Sequence, residues 1–236
     1  MTTLTYQERF KTEQGVFDEF THRALFELQS RGVFDELVGK ISVGKESGVF
    51  WGIKGSQKVV VKIYFVQNAN FDKMYDYIRK DPRYEFLKKH RRQIIFAWAQ
   101  REYKNLMRAQ KAKINAPKPL AFKENIIVEE FIGNEKPAPP LKDALPINPK
   151  KCFDLIIADM QKLYAEGLIH GDLSSFNILN YQELPYFIDF SQATLVKTPN
   201  SKELLERDLK NILNFFAKQG INEDFEKVLK NITGNS

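Results

Sequence analysis

The chain has 236 residues, of which 43% are hydrophobic, enough to bury one substantial core or two small lobes. No apolar run approaches the roughly 18 residues a membrane span needs, and the polar start MTTLTYQERFKTEQ lacks the apolar centre of a secretory signal. The single cysteine, Cys152, excludes an intramolecular disulfide and a cysteine metal cluster, and the three histidines (His22, His90, His170) form no pair at zinc-ligand spacing. A reducing, cytoplasmic setting with no membrane partner is expected.

In chain order, residues 16–38 carry short helical patterns, with Phe17, Phe20, Ala24, Leu25 and Leu28 at three- and four-residue steps. From Lys40 to Phe65 the period changes, and ISVGKESGVFWGI and KVVVKIYFV read as strands around a turn at Lys54-Gly55-Ser56. Phe86 to Ala112 predicts one long helix, ended by Pro117 and Pro119. AFKENIIVEEFIG then predicts a hairpin turning at Lys123–Asn125. GNEKPAPPLKDALPINPK, with five prolines, is the linker candidate and divides the chain near residue 135. Beyond it, Phe153, Ile156, Ile157, Met160, Leu163 and Tyr164 predict a helix closed by Gly167. NILNY and PYFIDF read as short strands, and Leu205, Leu209, Ile212, Leu213 and Phe216 predict a last strong helix ending at Gly220.

Charge is unevenly spread. Of the formal +6, residues 79–118 hold +10, from thirteen Lys/Arg against Asp81, Glu85 and Glu102, and the remainder sums to −4. Such a block is either a solvated helix face or a patch that meets phosphate, and composition does not choose between them.

The strongest chemical signal is IHGDLSSFNIL at residues 169–179, followed by YFIDF at 186–190. Phosphoryl transfer needs a carboxylate to orient the attacking hydroxyl and oxygen ligands to hold Mg²⁺ against the phosphates. Asp172 and Asn177 have the spacing of the kinase pattern H-R-D-L-x-x-x-N, and Asp189 ends an apolar strand where the D-F-G aspartate would lie. Their oxygens suit a hard cation. Ser42 to Val49 can be laid on the kinase glycine-rich loop, but only Gly44 and Val49 match. Lys62, in VVVKIY, resembles the lysine that holds the α- and β-phosphates, although a strand lysine can also simply face solvent. Glu102 lies in the apolar stripe of Ile95, Trp98, Leu106 and Ala109. A buried carboxylate needs a partner, and Lys62 is the obvious one; the alternative is that Glu102 lies exposed at the edge of the stripe. The expected architecture is α+β, a two-lobed protein-kinase-like fold. Residues 1–134 would form N-terminal helices plus the nucleotide-binding lobe, and 135–236 the helix-rich catalytic lobe of one domain.

The chain resembles the RIO family of atypical serine/threonine protein kinases, closest to its type-one branch. The stretches that carry the resemblance are GKISVGKESGVF, VVVKIY, YIRKDPRY, WAQREYKNL, EEFIG with PAPPLKD, IHGDLSSFNIL, YFIDFSQA and LERDLKNI. DPRY, and SQA after Asp189, are foreign to ordinary kinases. About forty residues precede the loop, which favours type one over the type-two proteins with their longer winged-helix start. The resemblance implies ATP and Mg²⁺ as cofactors, Asp172 as catalytic aspartate, and Asn177 and Asp189 as Mg²⁺ ligands. It implies that Asp189 can also take up the phosphoryl group during ATP hydrolysis. Lys62 and Glu102 would be the phosphate-binding pair, and backbone groups of Glu130 and Ile132 would bind adenine. Ser42 and Lys45 would lie over the phosphates, and Asp208 would brace the catalytic loop.

The sequence also departs from these patterns. Glu129 stands where the family usually has an apolar residue behind the adenine. Gly171 replaces the arginine of H-R-D, and no A-P-E segment follows Asp189, so the activation segment and its substrate-docking surface are missing. That absence fits a family thought to act chiefly as an ATPase switch on the maturing small ribosomal subunit, with residues 79–118 meeting ribosomal RNA. Family members can phosphorylate themselves on serine between the strand lysine and the glutamate helix, yet residues 57–173 here contain no serine or threonine. HGDL-x-x-x-N also occurs in small-molecule kinases and in a tRNA-modification-complex kinase, and a nucleotide-binding pseudoenzyme is a further alternative. Neither kinase group accounts for DPRY or SQA, and the intact set Lys62, Glu102, Asp172, Asn177 and Asp189 speaks against a pseudoenzyme.

Overall fold

A computed structural model describes residues 17–66 and 71–234. The polar start MTTLTYQERFKTEQ lies outside the described residues. Helix α1 (Glu19–Ser30) is opened by Asp18, whose carboxylate accepts from Thr21 N at 2.9 Å and Thr21 Oγ1 at 2.7 Å. It buries Ala24, Leu25 and Leu28 on one face. The helix stops at Ser30 and Gly32 turns the chain at φ 66°, so the helical pattern read to residue 38 overran into β1 (Glu36–Val43).

Strands β2 (Ser47–Lys54), β3 (Gln57–Tyr64), β4 (Pro119–Lys123) and β5 (Ile126–Glu130) join β1 in an antiparallel sheet of order β1-β2-β3-β5-β4. The two-residue period of β3 sorts its side chains. Val59, Val61 and Ile63 pack with Ala24, Leu25 and Leu28 of α1 on the outer face. Val60 and Lys62 point to the opposite face, toward a cleft. Tyr64, also on that face, enters the larger core.

The connection out of β3 holds a short helix, α2 (Phe71–Ile78), and a 3₁₀ turn at Pro82–Tyr84. Helix α3 (Arg91–Lys111) then begins after an extended His90, five residues later than the Phe86 start read from the periodicity. It buries Ile94, Ile95, Trp98, Ala99, Leu106 and Ala109, and with them Arg101, Glu102 and Asn105.

After the proline-rich segment, Asn148 caps α4 (Pro149–Ala165) by accepting from Lys151 N at 2.9 Å, and Gly167 at φ 80° closes it. Short strands β6 (Leu168–Ile169), β7 (Ile178–Tyr181), β8 (Leu184–Phe187) and β9 (Thr194–Leu195) form two small ladders, β6 with β9 and β7 with β8. A 3₁₀ turn spans Phe190–Gln192, and α5 (Ser201–Ala217) starts soon afterwards.

A further helix, α6 (Phe225–Thr233), follows the one that reads as last. It is capped by Asp224 and buries Val228 and Ile232 in the main core. That core runs without a break from Tyr64 and α3 through α4, α5 and α6. The architecture is α+β: a sheet-rich part and a helical part with α3 packed into both. None of the described helices is long and apolar enough to cross a membrane.

Candidate active site

Lys62 sits in the central strand, opposite Ile127 of β5 and Val49 of β2. Its ammonium lies 2.8 Å from Glu102 Oε1 of α3 and 2.8 Å from Asp189 Oδ1. The Tyr64 hydroxyl donates to the other Glu102 oxygen, Oε2. Glu102 is therefore bonded on both oxygens, as a carboxylate at 1% exposure requires. Burial works against the Lys62 charge, but the Asp189 and Glu102 carboxylates outweigh it and hold its pKa well above the usual range. Burial likewise works against Asp189, yet Lys62 and a bond from Ser191 N keep it ionised, well below the usual carboxylate range. Burial, with Asp189 adding repulsion, pushes Glu102 up. Lys62 and Asp189 form the firmly ionised pair.

The loop carrying Asp172 hangs from α5. Asp208 Oδ2 accepts from Gly171 N at 2.7 Å and Oδ1 accepts from Leu173 N at 2.9 Å. Asn211 Nδ2 donates to Leu173 O at 3.0 Å, and Arg207 donates to Gly171 O. Burial drives the Asp208 carboxyl up to about 7. Gly171 sits at φ 77°, and a Cβ there would lie 2.8 Å from Gln192 O and 3.2 Å from the Tyr77 hydroxyl. That backbone excludes the arginine ordinary kinases place at this position.

Asn177 Nδ2 donates to Asp172 O at 2.8 Å and to Asp172 Oδ2 at 3.3 Å, which turns the amide oxygen the other way. Burial and the Asp189 charge raise the Asp172 pKa. His170 is buried and pushed down to about 4, so it is neutral; its Nε2 donates to Ile188 O at 3.0 Å, bracing the strand end before Asp189. Asp189 itself has left-handed backbone, φ 61° and ψ 69°, a conformation costly for a side-chain-bearing residue and typical of constrained functional positions.

Two further residues of α3, neither singled out in the sequence, fasten the turn after Asp189. Asn105 Nδ2 donates to Phe190 O at 3.1 Å and Ala193 O at 2.8 Å. Arg101, fully buried, donates from Nη1 to Ser191 O at 2.6 Å and from Nε to Asp81 Oδ2 at 2.9 Å. Arg83 closes on the same Asp81 carboxylate. The DPRY and SQA segments are thus one cluster joined through Arg101.

A cleft of about 920 Å³ lies beneath the sheet, a size suited to a small-molecule cofactor. Ser42, Lys45, Lys62, Glu130, Ile132, Asn177 and Asp189 all line it, with Glu129 beside them. Ser42 lies near the end of β1 opposite Val49, and Lys45 in the tight turn that follows, in which Gly44 N donates to Ser47 O at 2.9 Å. Glu102 stands behind Lys62 rather than in the cleft wall, and Asp172 is reached through Asn177, also outside that wall.

The basic stretch is dispersed. Arg101 is core, Arg83 bonds Asp81, Lys89 lies 2.7 Å from Asp72 and Lys111 lies 2.7 Å from Glu166. Arg91 and Arg92 lie over the rings of Phe71 and Phe20, at 4.8 and 3.5 Å from the ring centroids.

Residues 48–228 match the RIO domain. The RIO-type serine/threonine-protein kinase Rio1 of Methanocaldococcus jannaschii is 42% identical over 231 residues, covering 97% of this chain and 79% of that protein. The protein of the same name from Haloferax volcanii is 37% identical over 230 residues, with the same coverage. Among solved structures, the Rio2 kinase–ADP/Mg²⁺–phosphoaspartate complex from Chaetomium thermophilum superposes with a TM-score of 0.68 at 21% identity, over 90% of this chain and 66% of that one. That likeness is one of fold, and the Rio1 proteins carry the assignment: the chain belongs to the RIO family of serine/threonine-protein kinases and is of the Rio1 type.

Proposed function

We propose that the chain is a kinase that binds ATP with Mg²⁺ in the cleft and transfers or hydrolyses the γ-phosphoryl group. The observation that carries this is Lys62, fixed 2.8 Å from both Glu102 and Asp189 at the wall of that cleft. The pair places a cation where α- and β-phosphates would lie, as in kinases generally. In this reading residues 1–134 supply the nucleotide-binding part and 135–236 the catalytic part. Ser42 and Lys45 cover the phosphates. Glu130 N already donates to Lys118 O at 2.8 Å, and Ile132 O accepts from Ala138 N at 2.9 Å. The family resemblance gives Glu130 O and Ile132 N as the linker groups for a base.

The donor set fits Mg²⁺. Asn177 offers an amide oxygen turned away from Asp172, and Asp189 offers Oδ2 while Oδ1 is held by Lys62 and Ser191 N. Two side-chain oxygens plus substrate phosphates are the usual protein share of a Mg²⁺ site, and the ion would neutralise charge on the phosphates. Asp172 orients the acceptor hydroxyl or water. The Chaetomium relative is described as a phosphoaspartate complex. By analogy, the Asp189 carboxylate attacks the γ-phosphorus through the oxygen that Mg²⁺ does not take, the bond to the ADP oxygen breaks, and water later cleaves the acyl phosphate. The ionised state of Asp189 supports this role. Calorimetric titration with ADP and phosphate-release kinetics with ATP test the reading; no ADP binding at millimolar concentration would end it.

The lack of serine and threonine in residues 57–173 bears on the acceptor. Nearby hydroxyls are Ser42 and Ser47 on the loop and Ser174 and Ser175 beside Asp172, all held by local backbone. Incubation with ATP and Mg²⁺ is expected to yield measurable phosphate release with weak or absent Ser/Thr autophosphorylation. Mass spectrometry finding stoichiometric phosphoserine at one internal position would refute that.

A ribosomal partner is proposed on the family resemblance together with Lys88, Lys89, Arg91 and Arg92 near the start of α3. If these meet an RNA backbone, log affinity falls with log salt at a slope of about 0.7–0.9 per phosphate contacted. Replacing the four by serine should flatten that slope. Filter binding that shows an unchanged slope would assign them to a solvated face.

A further inference from the structure

The antiparallel register of β3 and β5 sets Val60 opposite Glu129 and Lys62 opposite Ile127. Val60, Lys62 and Glu129 all line the cleft, and Glu129 immediately precedes the Glu130–Ile132 linker. The Lys62 ammonium is already held at 2.8 Å by both Glu102 and Asp189. Among the described residues the Glu129 carboxyl makes no hydrogen bond and no ion pair. Burial, reinforced by the Glu102 charge on α3, pushes it up to about 8; Lys62 on β3 pulls the other way, and Asp189 adds to the rise. Glu129 is half-buried and lines the cleft, and a carboxyl placed there without a protein partner is a group that a ligand can satisfy.

We propose that Glu129 is a specificity-determining residue for the nucleotide base: its carboxylate accepts a hydrogen bond from an exocyclic amino group and so selects a 6-aminopurine over a 6-oxopurine. This rests on the reading that the base lies against the 130–132 linker. An ionised carboxylate is an acceptor only, whereas the acid form also donates. The amino group of a 6-aminopurine matches the first, and the carbonyl of a 6-oxopurine matches the second. A charge-assisted bond of this kind is worth about ten- to a hundredfold in affinity. Binding the aminopurine holds Glu129 ionised and releases a proton whenever the free group is protonated. Affinity for it therefore rises with pH, by up to about tenfold per unit, and levels off once the free carboxyl is ionised. Affinity for the oxopurine is level while the free carboxyl is protonated and falls as the carboxyl ionises.

The test is calorimetric titration of the full chain with ADP and with inosine diphosphate, without Mg²⁺, from about pH 6.5 to 8.5, for wild type and Glu129→Gln. The expected result is opposite pH slopes for the two ligands in the wild type and net proton release with ADP, read from two buffers of different ionisation heat. In Glu129→Gln, whose amide both donates and accepts and does not titrate, both slopes should collapse and the preference should shrink to what the linker backbone alone supplies. ADP binding with the same pH slope in both proteins, or parallel slopes for the two ligands in the wild type, overturns the role of Glu129 and leaves the cleft assignment standing. ADP binding to neither protein overturns both. The wild-type slopes and proton release decide the matter even if the variant fails to fold.

Discussion

Asp189→Asn is expected to lose Mg²⁺-dependent phosphate release while keeping the fold, and Asp172→Ala to keep nucleotide binding and lose turnover by about 100- to 10,000-fold. The two losses differ in kind. Asparagine tolerates the left-handed backbone at position 189, so the first variant removes a charge and a nucleophile without forcing the turn to move. The loss of the Asp189 charge also frees Lys62 from one of its two partners, and the Mg²⁺ dependence of ADP affinity should weaken with it. Asp172 lies outside the cleft wall, bonded to Asn177. Its removal should leave the ADP dissociation constant within a few fold while phosphate release stops. Stopped-flow phosphate release and ADP calorimetry on both variants check this, and full turnover in either one would remove that residue from the chemistry.

The second large effect is on stability. Asp81→Ala leaves the Arg101 guanidinium fully buried with its carboxylate gone. Breaking a buried pair from one side costs about 3–5 kcal/mol, which for a chain of this size lowers Tm by about 6–20 °C. Arg83→Ala removes the flanking partner, whose side chain reaches solvent, and should cost much less. The sign with pH follows from Asp81. Burial opposes its ionisation, but the Arg83 and Arg101 bonds lower its folded pKa overall. Its contribution is present above the unfolded carboxyl value of about 4 and is lost as pH falls through the lower folded value. Thermal melts of the three proteins at neutral pH test this; an Asp81→Ala melt within about 2 °C of wild type would mean the guanidinium reaches water.

Much of this site is legible in the sequence, for physical reasons. Asp172, Asn177 and Asp189 stand out because phosphoryl transfer would need oxygens at fixed separations along one loop and one strand end. Glu102 is legible because a carboxylate inside an apolar stripe demands a cation. Tyr64 escapes, since a tyrosine in an alternating strand reads as core whether or not its hydroxyl is used. Arg101 reads as one more charge of the basic block and is in fact core. The signal was there: Ile94, Trp98, Arg101 and Asn105 fall at helical steps on one buried face. The two short helices, α2 and α6, offer too few buried residues for periodicity to stand out, Met74 and Ile78 in one and Val228 and Ile232 in the other. The helix read back to Phe86 overran because FLKKH at 86–90 continues the apolar pattern at Phe86 and Leu87 and contains no Pro or Gly to mark a break.

Ordinary kinases are switched by swinging the glutamate helix away so that the lysine–glutamate pair comes apart. Here the same helix also carries Arg101 and Asn105, which hold Ser191, Phe190 and Ala193 beside Asp189. Swinging it out would leave a buried guanidinium and three carbonyls without partners along with the broken pair. With a cost of several kcal/mol, fewer than about one molecule in a hundred would occupy such a state at equilibrium. The free enzyme is in effect always assembled. If Asp172 acts as proposed, control would fall on what reaches it and on how long the product nucleotide stays, that is, on occupancy rather than on the shape of the catalytic centre.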